Sequence, residues 1–306
     1  MAYLNGINSE TECHIYNILL KKFMKEKFNC FIVNIKLQSE VTGEERTKEY
    51  IRIINELSSR KKILKVGKNE AIQMYGGYGL REGKIPEFIY GSFAKGTYID
   101  GEEISVIEEG EIKKDKNNPR LINPVVTEFI FIPKRHRLVI KKKSGAPSET
   151  QIEAYLNTFS PRYVKKPDIL EVVLEKDSSV IHQIYSAESV YKISYEISYT
   201  NDDAIGIFGE ELERQIKESK IGNLKLTAEA DNTSDGLNMG ESILLKGGLQ
   251  LAEKDGTINS AKIKPEKGGK IITISNKDKP KVIPIDVDQS LGSWYRQWYN
   301  KIINLL

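Results

Sequence analysis

The densest run of chemically capable side chains lies in "TEFIFIPKRHRLVIKKK", residues 127–143. Lys134, Arg135, Arg137, Lys141, Lys142 and Lys143 fall close together there, with His136 among them. Lysine and arginine clustered in this way attract phosphates without demanding a specific geometry, and the attraction weakens as salt rises. These six are the candidate nucleic-acid-binding residues. A histidine flanked by cations has a depressed pKa and can act as a base, which makes His136 the candidate catalytic residue. No second group is visible in the sequence to work with it. A solvated hairpin end accounts for the same residues with no function at all. Pro133 cannot donate to a central ladder, so the strand ends there, "PKRH" turns and "RLVI" returns. A short return strand would bring both basic groups to one sheet end; a longer one would leave them at opposite ends.

Other constellations are thinner. "TNDD", residues 200–203, ends a strand-like segment with Asp202 and Asp203, and paired carboxylates can hold Mg²⁺ for phosphodiester chemistry. Asn-Asp-Asp is also ordinary turn chemistry, and further carboxylates would have to arrive from elsewhere, so the expectation is no metal and no cofactor. Glycine pairs suggest phosphate loops, but none completes a Walker motif. In "GGYGLREGK" only three residues separate Gly79 from Gly83, and Ile85 follows where the hydroxyl belongs; "GSFAKGT" has the right glycine gap but lacks the lysine between Gly96 and Thr97. His14, His136 and His182 lie far apart, and Cys13 and Cys30 form no CxxC pair, which argues against structural zinc. "VYKISYEISY" alternates sharply, with Tyr191, Ile193, Tyr195, Ile197 and Tyr199 on one side. Aliphatic residues between the tyrosines mark a core face over a base-stacking platform. In "SWYRQWYNKIINLL" Trp294, Tyr295 and Trp298 make an aromatic helix face, a docking stripe or a partner-binding surface.

Elements must position these residues. Residues 10–26 carry Ile15, Ile18, Leu19 and Phe23 at helical spacing, and "NCFIVNIKL" (29–37) reads as a strand. In "EERTKEYIRIINELSSRKK" the stripe is Tyr50, Ile53, Ile54 and Leu57, at i, i+3, i+4 and i+7. Ile72 to Ile112 is strand-like and glycine-punctuated, and "KKDKNNPR" (113–120) reads as a charged loop. "VVTEFIFI", apolar on both faces from Phe129 to Ile132, is a central strand. Ser148 and Gln151 form a capping box before a helix with the stripe Ile152, Tyr155, Leu156 and Phe159. Then come the strand "ILEVVLEK", the helix "DSSVIHQIYSA" capped at Asp177 or Ser178, the tyrosine strand, a helix at about 207–220 and the strand "LKLTAEA". A helix-like segment at about 234–252 precedes three short strands. The pattern predicts an α+β fold with mixed or antiparallel sheets, split βαβ units of ferredoxin-like layout, helices on one sheet face and a C-terminal β meander. The expected domains are an N-terminal α+β domain (1–145) and a βαβ-containing domain (146–306).

Composition fits a soluble globular protein: 306 residues, 39% hydrophobic and 29% charged. Lys+Arg number 46 against 43 Asp+Glu, so any nucleic-acid signal is local and not a matter of bulk charge. No apolar run approaches the roughly 20 residues of a transmembrane helix. The N-terminus lacks a secretory pattern, and two cysteines suit a reducing compartment, so the expected location is cytoplasmic.

"NPVVTEFIFIPKRHRLVI" with its following capped helix, "IHQIYSAESVYKISYEISYTNDD" and "AEKDGTINSAKIK" together resemble a bacterial family of unknown function. Its members are about this size and often lie near phage-defence or mobile-element genes. The resemblance covers residues 120–285 and implies a defence-linked cytoplasmic protein with a partner; it brings no catalytic residues. At the level of fold alone, the strand–helix–strand core also resembles the ferredoxin-like modules of CRISPR repeat-associated RNA-binding proteins. The expectation is a nucleic-acid-binding component of a prokaryotic anti-phage defence system. Its partners would be RNA or DNA and a second defence protein, with no membrane and with homo-oligomerisation left open. Two alternatives stand beside it: a protein-interaction or sensor module without nucleic-acid binding, and a nuclease using His136.

Overall fold

A computed structural model describes residues 25–59, 62–78, 84–99, 103–108, 111–116, 120–198, 206–231, 235–240, 242–288 and 293–306. The chain divides into two compact units, Phe31–Val282 and a smaller one that joins Met1–Cys30 to Ile283–Leu306. Among the described residues no helix is long and apolar enough to cross a membrane.

The larger unit begins inside β1 (Lys25–Gln38) and continues through α1 (Gly43–Ser59), β2 (Ile63–Lys65), β3 (Glu70–Tyr78) and β4 (Ile89–Ile99). A two-stranded hairpin, β5 (Glu103–Glu108) and β6 (Glu111–Lys116), precedes β7 (Arg120–Ile132), β8 (Arg137–Lys141), α2 (Glu149–Phe159) and β9 (Ile169–Leu174). The strand order of the first sheet is β1-β8-β7-β4-β3-β2, with β9 antiparallel along β1. β7 therefore lies between two strands, as its two apolar faces require. Phe129 and Phe131 point into a core shared with Phe93, Leu138 and Ile140, and Ile130 and Val139 are buried on the opposite face.

Two helices cover the Phe129 face, each by the stripe its periodicity predicts. Tyr50, Ile53, Ile54 and Leu57 are buried on α1, and Ile152, Tyr155, Leu156 and Phe159 on α2. The α2 capping box is present: Gln151 N–H donates to Ser148 Oγ at 3.3 Å, and Ser148 N–H donates to Gln151 Oε1 at 3.1 Å. Part of the segment expected as a charged loop is strand instead. Lys113–Lys116 pairs with Glu103–Val106, so backbone hydrogen bonds hold a stretch that has no apolar pattern to announce it.

The second sheet follows with α3 (Ser179–Ser186), β10 (Ser189–Ser198), α4 (Ile207–Glu218), β11 (Asn223–Glu229), a π-helical turn (Ile243–Gly247), α5 (Gly248–Asp255), β12 (Gly256–Lys264) and β13 (Ile272–Ile274). Its order is β11-β10-β12-β13, antiparallel throughout. Ile193, Tyr195 and Ile197 pack with Leu212, Ile216 and Leu249, so the β10 face is core and not an open stacking platform. The Tyr195 hydroxyl donates to Leu244 O at 2.7 Å. Only glycine fits at 248, because a Cβ there would lie 2.2 Å from the Tyr195 ring. Tyr199 lies outside the described residues.

Three further expectations change. The segment β9–α3–β10 is no split βαβ unit, because β9 pairs with β1 in the first sheet while β10 lies in the second. β10 and β11 are antiparallel neighbours, which removes the parallel crossover that such a unit needs. The helix expected from residue 234 begins at Ile243, where the Ser242 hydroxyl accepts the Leu245 N–H. The C-terminal meander also stops short: β12 and β13 are neighbours, but β14 (Val282–Asp288) stands beside β1.

In the smaller unit the first residues of β1 and β14 meet α6 (Trp294–Ile302). Trp294 stacks on Phe28 at 5.4 Å and its Nε1–H donates to Glu26 at 3.0 Å. The helix expected over residues 10–26 falls outside the described residues as far as 24, and Lys25 and Glu26 belong to β1.

Tyr155 joins two distant segments through one oxygen. Its hydroxyl donates to Lys62 O at 2.9 Å and accepts Met74 N–H at 3.3 Å. Tyr155→Phe should leave both backbone groups short of a partner and lower stability by roughly 1–3 kcal/mol. A chemical-denaturation midpoint at unchanged m-value checks this; an unshifted midpoint would mean the hydroxyl ties nothing down.

Candidate functional site

The β7–β8 register, ending at Ile132↔Arg137, sets the turn at residues 133–136. Pro133–Arg135 forms one 3-10 turn, and the His136 N–H donates to Pro133 O at 3.1 Å. His136 closes it in the left-handed region, φ 44, which non-glycine residues seldom occupy. β8 has five residues, and a strand rises about 3.3 Å per residue, so the two cation groups sit at opposite strand ends.

The six candidate cations divide accordingly. Lys134 and Arg135 are exposed at the turn, and Arg137 is buried beside them. At the far end Lys141 is half-buried, its Nζ 3.7 Å from Glu128. Lys142 is exposed but paired with Glu149 at 2.7 Å, and the exposed Lys143 donates to Val126 O at 3.0 Å.

The turn end holds the richer chemistry. Arg137 Nε donates to Glu175, whose other oxygen lies 3.4 Å from Lys281 Nζ. Arg137 Nη1 also reaches Asn34 Oδ1 at 2.8 Å and Arg135 O at 3.0 Å. His136 Nδ1 lies 2.8 Å from the same Asn34 oxygen and 2.7 Å from Arg137 Nη1. The Tyr50 ring stacks on the imidazole at 5.6 Å, and its hydroxyl accepts the Leu37 N–H at 2.9 Å. Lys36, 1% exposed, donates to Ser198 Oγ at 2.8 Å. Burial, then the positive charges of Arg137, Lys36, Arg46 and Arg135, push the His136 pKa down to about 2. The ring is neutral at physiological pH. Without the imidazolium form it is no effective general acid there, and it is a poor proton acceptor, which leaves it badly matched to general acid–base work.

Sequence reasoning singled out His136 and its flanking cations but missed Asn34, Lys36, Arg46, Tyr50 and Glu175. Two of these had a signal. Asn34 and Lys36 interrupt the apolar run "CFIVNIKL" at positions that a buried strand fills with polar groups only when they are bonded.

The other candidates lie elsewhere. Trp298 is fully buried in the smaller unit, with its ring edge-on to Phe28 at 5.4 Å. Trp294 and Tyr295 are half-buried and in contact with one another at 4.8 Å. The stripe docks α6 within its own unit. Asp202 and Asp203 lie outside the described residues, and among the described residues no group of His, Cys, Asp and Glu could hold a metal ion. Cys30 is a buried free thiol.

A family model described as "Domain of unknown function (DUF4747)" matches residues 26–304. No curated protein matches the chain.

The buried imidazole makes stability depend on acidity. Its folded pKa, about 2, lies below the ordinary 6.5, so between those values the unfolded chain holds the extra proton. The contribution is fully present above pH 6.5 and is lost as pH falls toward 2, by up to about 1.4 kcal/mol per pH unit. His136→Asn, a residue that tolerates the left-handed region, should flatten the fall in denaturation free energy measured between pH 6.5 and 4. An unchanged slope would place the titration elsewhere.

Proposed function

The chain belongs to the DUF4747 family, and we propose that it binds nucleic acid without catalysing its cleavage, as a cytoplasmic component of a prokaryotic anti-phage defence system that works with a partner protein. The observation that carries the binding reading is the gathering of Arg137, Lys36, Arg46 and Arg135 around one neutral imidazole. A histidine held that far below its ordinary value reports both burial and a positive local potential. Lys134 and Arg135 bring that potential to the surface at the β7–β8 turn, where a phosphate can meet it. The defence setting and the partner rest on the sequence resemblance alone. The neutral His136 speaks against a nuclease that uses that imidazole and leaves the cations as binders of charge.

Labelled single-stranded RNA, single-stranded DNA and duplex DNA, titrated at several salt concentrations, test the reading. The logarithm of affinity should fall linearly with the logarithm of salt for at least one of them. Replacing Lys134 and Arg135 together by glutamate should weaken binding and make that slope shallower by roughly 0.7–0.9 for each phosphate no longer neutralised. Lys142→Ala should change little, because Glu149 already balances that ammonium. A wild-type chain with no salt-dependent affinity for any of the three would sink the proposal.

A further inference from the structure

We propose that the chain self-associates through β11, the edge strand of the second sheet, by pairing it antiparallel with β11 of a second copy. β11 ends the order β11-β10-β12-β13, so among the described residues one of its sides carries no strand. One bond decides which backbone groups face that side. Ala230 N–H donates to Tyr191 O at 2.8 Å, so Ala230 directs its N–H at β10. Backbone direction alternates along an antiparallel strand, and the register runs unshifted from Lys192↔Glu229 to Ser198↔Asn223. Leu224, Leu226 and Ala228 therefore face β10 with their N–H and C=O groups. Asn223, Lys225, Thr227 and Glu229 turn theirs to the open side.

In a twofold pair the hydrogen-bonded partners must come from this outward-turned set. An axis at Thr227 sets Thr227 against its own copy, Lys225 against the second copy's Glu229 and Glu229 against the second copy's Lys225. Each pair then exchanges both of its backbone hydrogen bonds, and opposite charges meet on either side of the axis. Lys225 and Glu229 have side chains 69% and 58% exposed, so both can reach across. On the other face Leu226 meets the second copy's Ala228, extending an apolar row of Leu224, Leu226 and Ala228 that is only partly buried at this edge. An axis at Leu226 sets Lys225 against Thr227 and Glu229 against Asn223; one at Ala228 sets Thr227 against Glu229 and matches Lys225 only with Asp231, beyond the end of the strand, so the Thr227 register is the one that keeps its charge pairs within β11. β11 also carries no proline, no bulge and no inward-pointing charge, devices that keep edge strands from pairing, and its own edge charges, Lys225 and Glu229, are opposite in sign and match across the axis.

Light scattering behind size exclusion, run on the full chain from low to high micromolar concentration, should show mass rising from one chain of 34.8 kDa to two. Lys225→Glu places like charges on both sides of the axis and should remain monomeric, and Glu229→Lys should do the same with the opposite sign. Mixed in equal amounts, the two variants should regain the dimer, because the acidic edge of one meets the basic edge of the other. Thr227→Pro removes an N–H that faces the open side and no backbone bond to β10, only the exposed hydroxyl bond to Ser194, so it should be monomeric with an unchanged circular dichroism spectrum. Three results overturn the proposal: a wild-type chain that stays at the mass of one chain, a dimer that these variants leave intact, or single variants that do not reassociate on mixing.

Discussion

The buried ion pair between Arg137 and Glu175 is the constraint on which the first sheet and its turn depend. Removing either charge from water costs several kcal/mol, and mutual attraction offsets that only where geometry is good and the remaining donors are satisfied. Those conditions are met by residues from three strand segments. β8 supplies Arg137, the residue just past β9 supplies Glu175 and β1 supplies Asn34, whose amide oxygen accepts a further guanidinium N–H. Main-chain bonds fix the same junction, with Glu175 N–H donating to Ile32 O at 2.9 Å and Lys281 N–H donating to Glu175 O at 2.8 Å. The strands must therefore hold their register for the charges to meet.

That requirement also shapes the turn. Arg137 Nη1 takes the Arg135 carbonyl, which draws the main chain inward while the Arg135 and Lys134 side chains remain exposed. His136 fills the space beneath, neutral, against Tyr50 and Asn34. A protonated ring there would set a second positive charge 2.7 Å from the guanidinium, with little water to screen it. The left-handed backbone at His136 belongs to the same arrangement, since it lets the chain reverse between Ile132 and Arg137 while the ring stays covered.

Much of the local structure was legible in the sequence. The stripe on α1, the capping box of α2, the central position of β7 and the core face of β10 each follow from a pattern of a few residues. What no such pattern encodes is the identity of a strand's neighbour. β9 and β10 read as consecutive strands of one unit, yet they join different sheets, and β14 leaves β13 for β1. Alternation fixes which side of a strand is apolar but not which strand will cover it. The candidate site was legible in the same partial way. Six cations look alike in a basic run, but strand phase sorts them: Arg137 begins β8 and is drawn into the network, while Lys142 lies beyond its end and pairs with Glu149. Glu175, more than thirty residues away in sequence, could be found only once β9 was placed along β1.

The two sheets handle polar residues in opposite ways, and this decides what each can do. In the first sheet, polar residues stand among apolar neighbours: Asn34 and Lys36 are each 1% exposed and must be bonded. Glu175 balances the buried Arg137 charge, so the potential that meets whatever approaches the turn comes chiefly from the exposed Lys134 and Arg135. In the second sheet the polar row is open. Lys192 pairs with Glu229 at 2.8 Å, Lys225 with Glu196 at 3.1 Å, and the Thr227 hydroxyl donates to Ser194 at 2.9 Å. Pairs as exposed as these add little stability. Buried charge therefore fixes one junction of the first sheet, and solvated charge lies along an edge of the second.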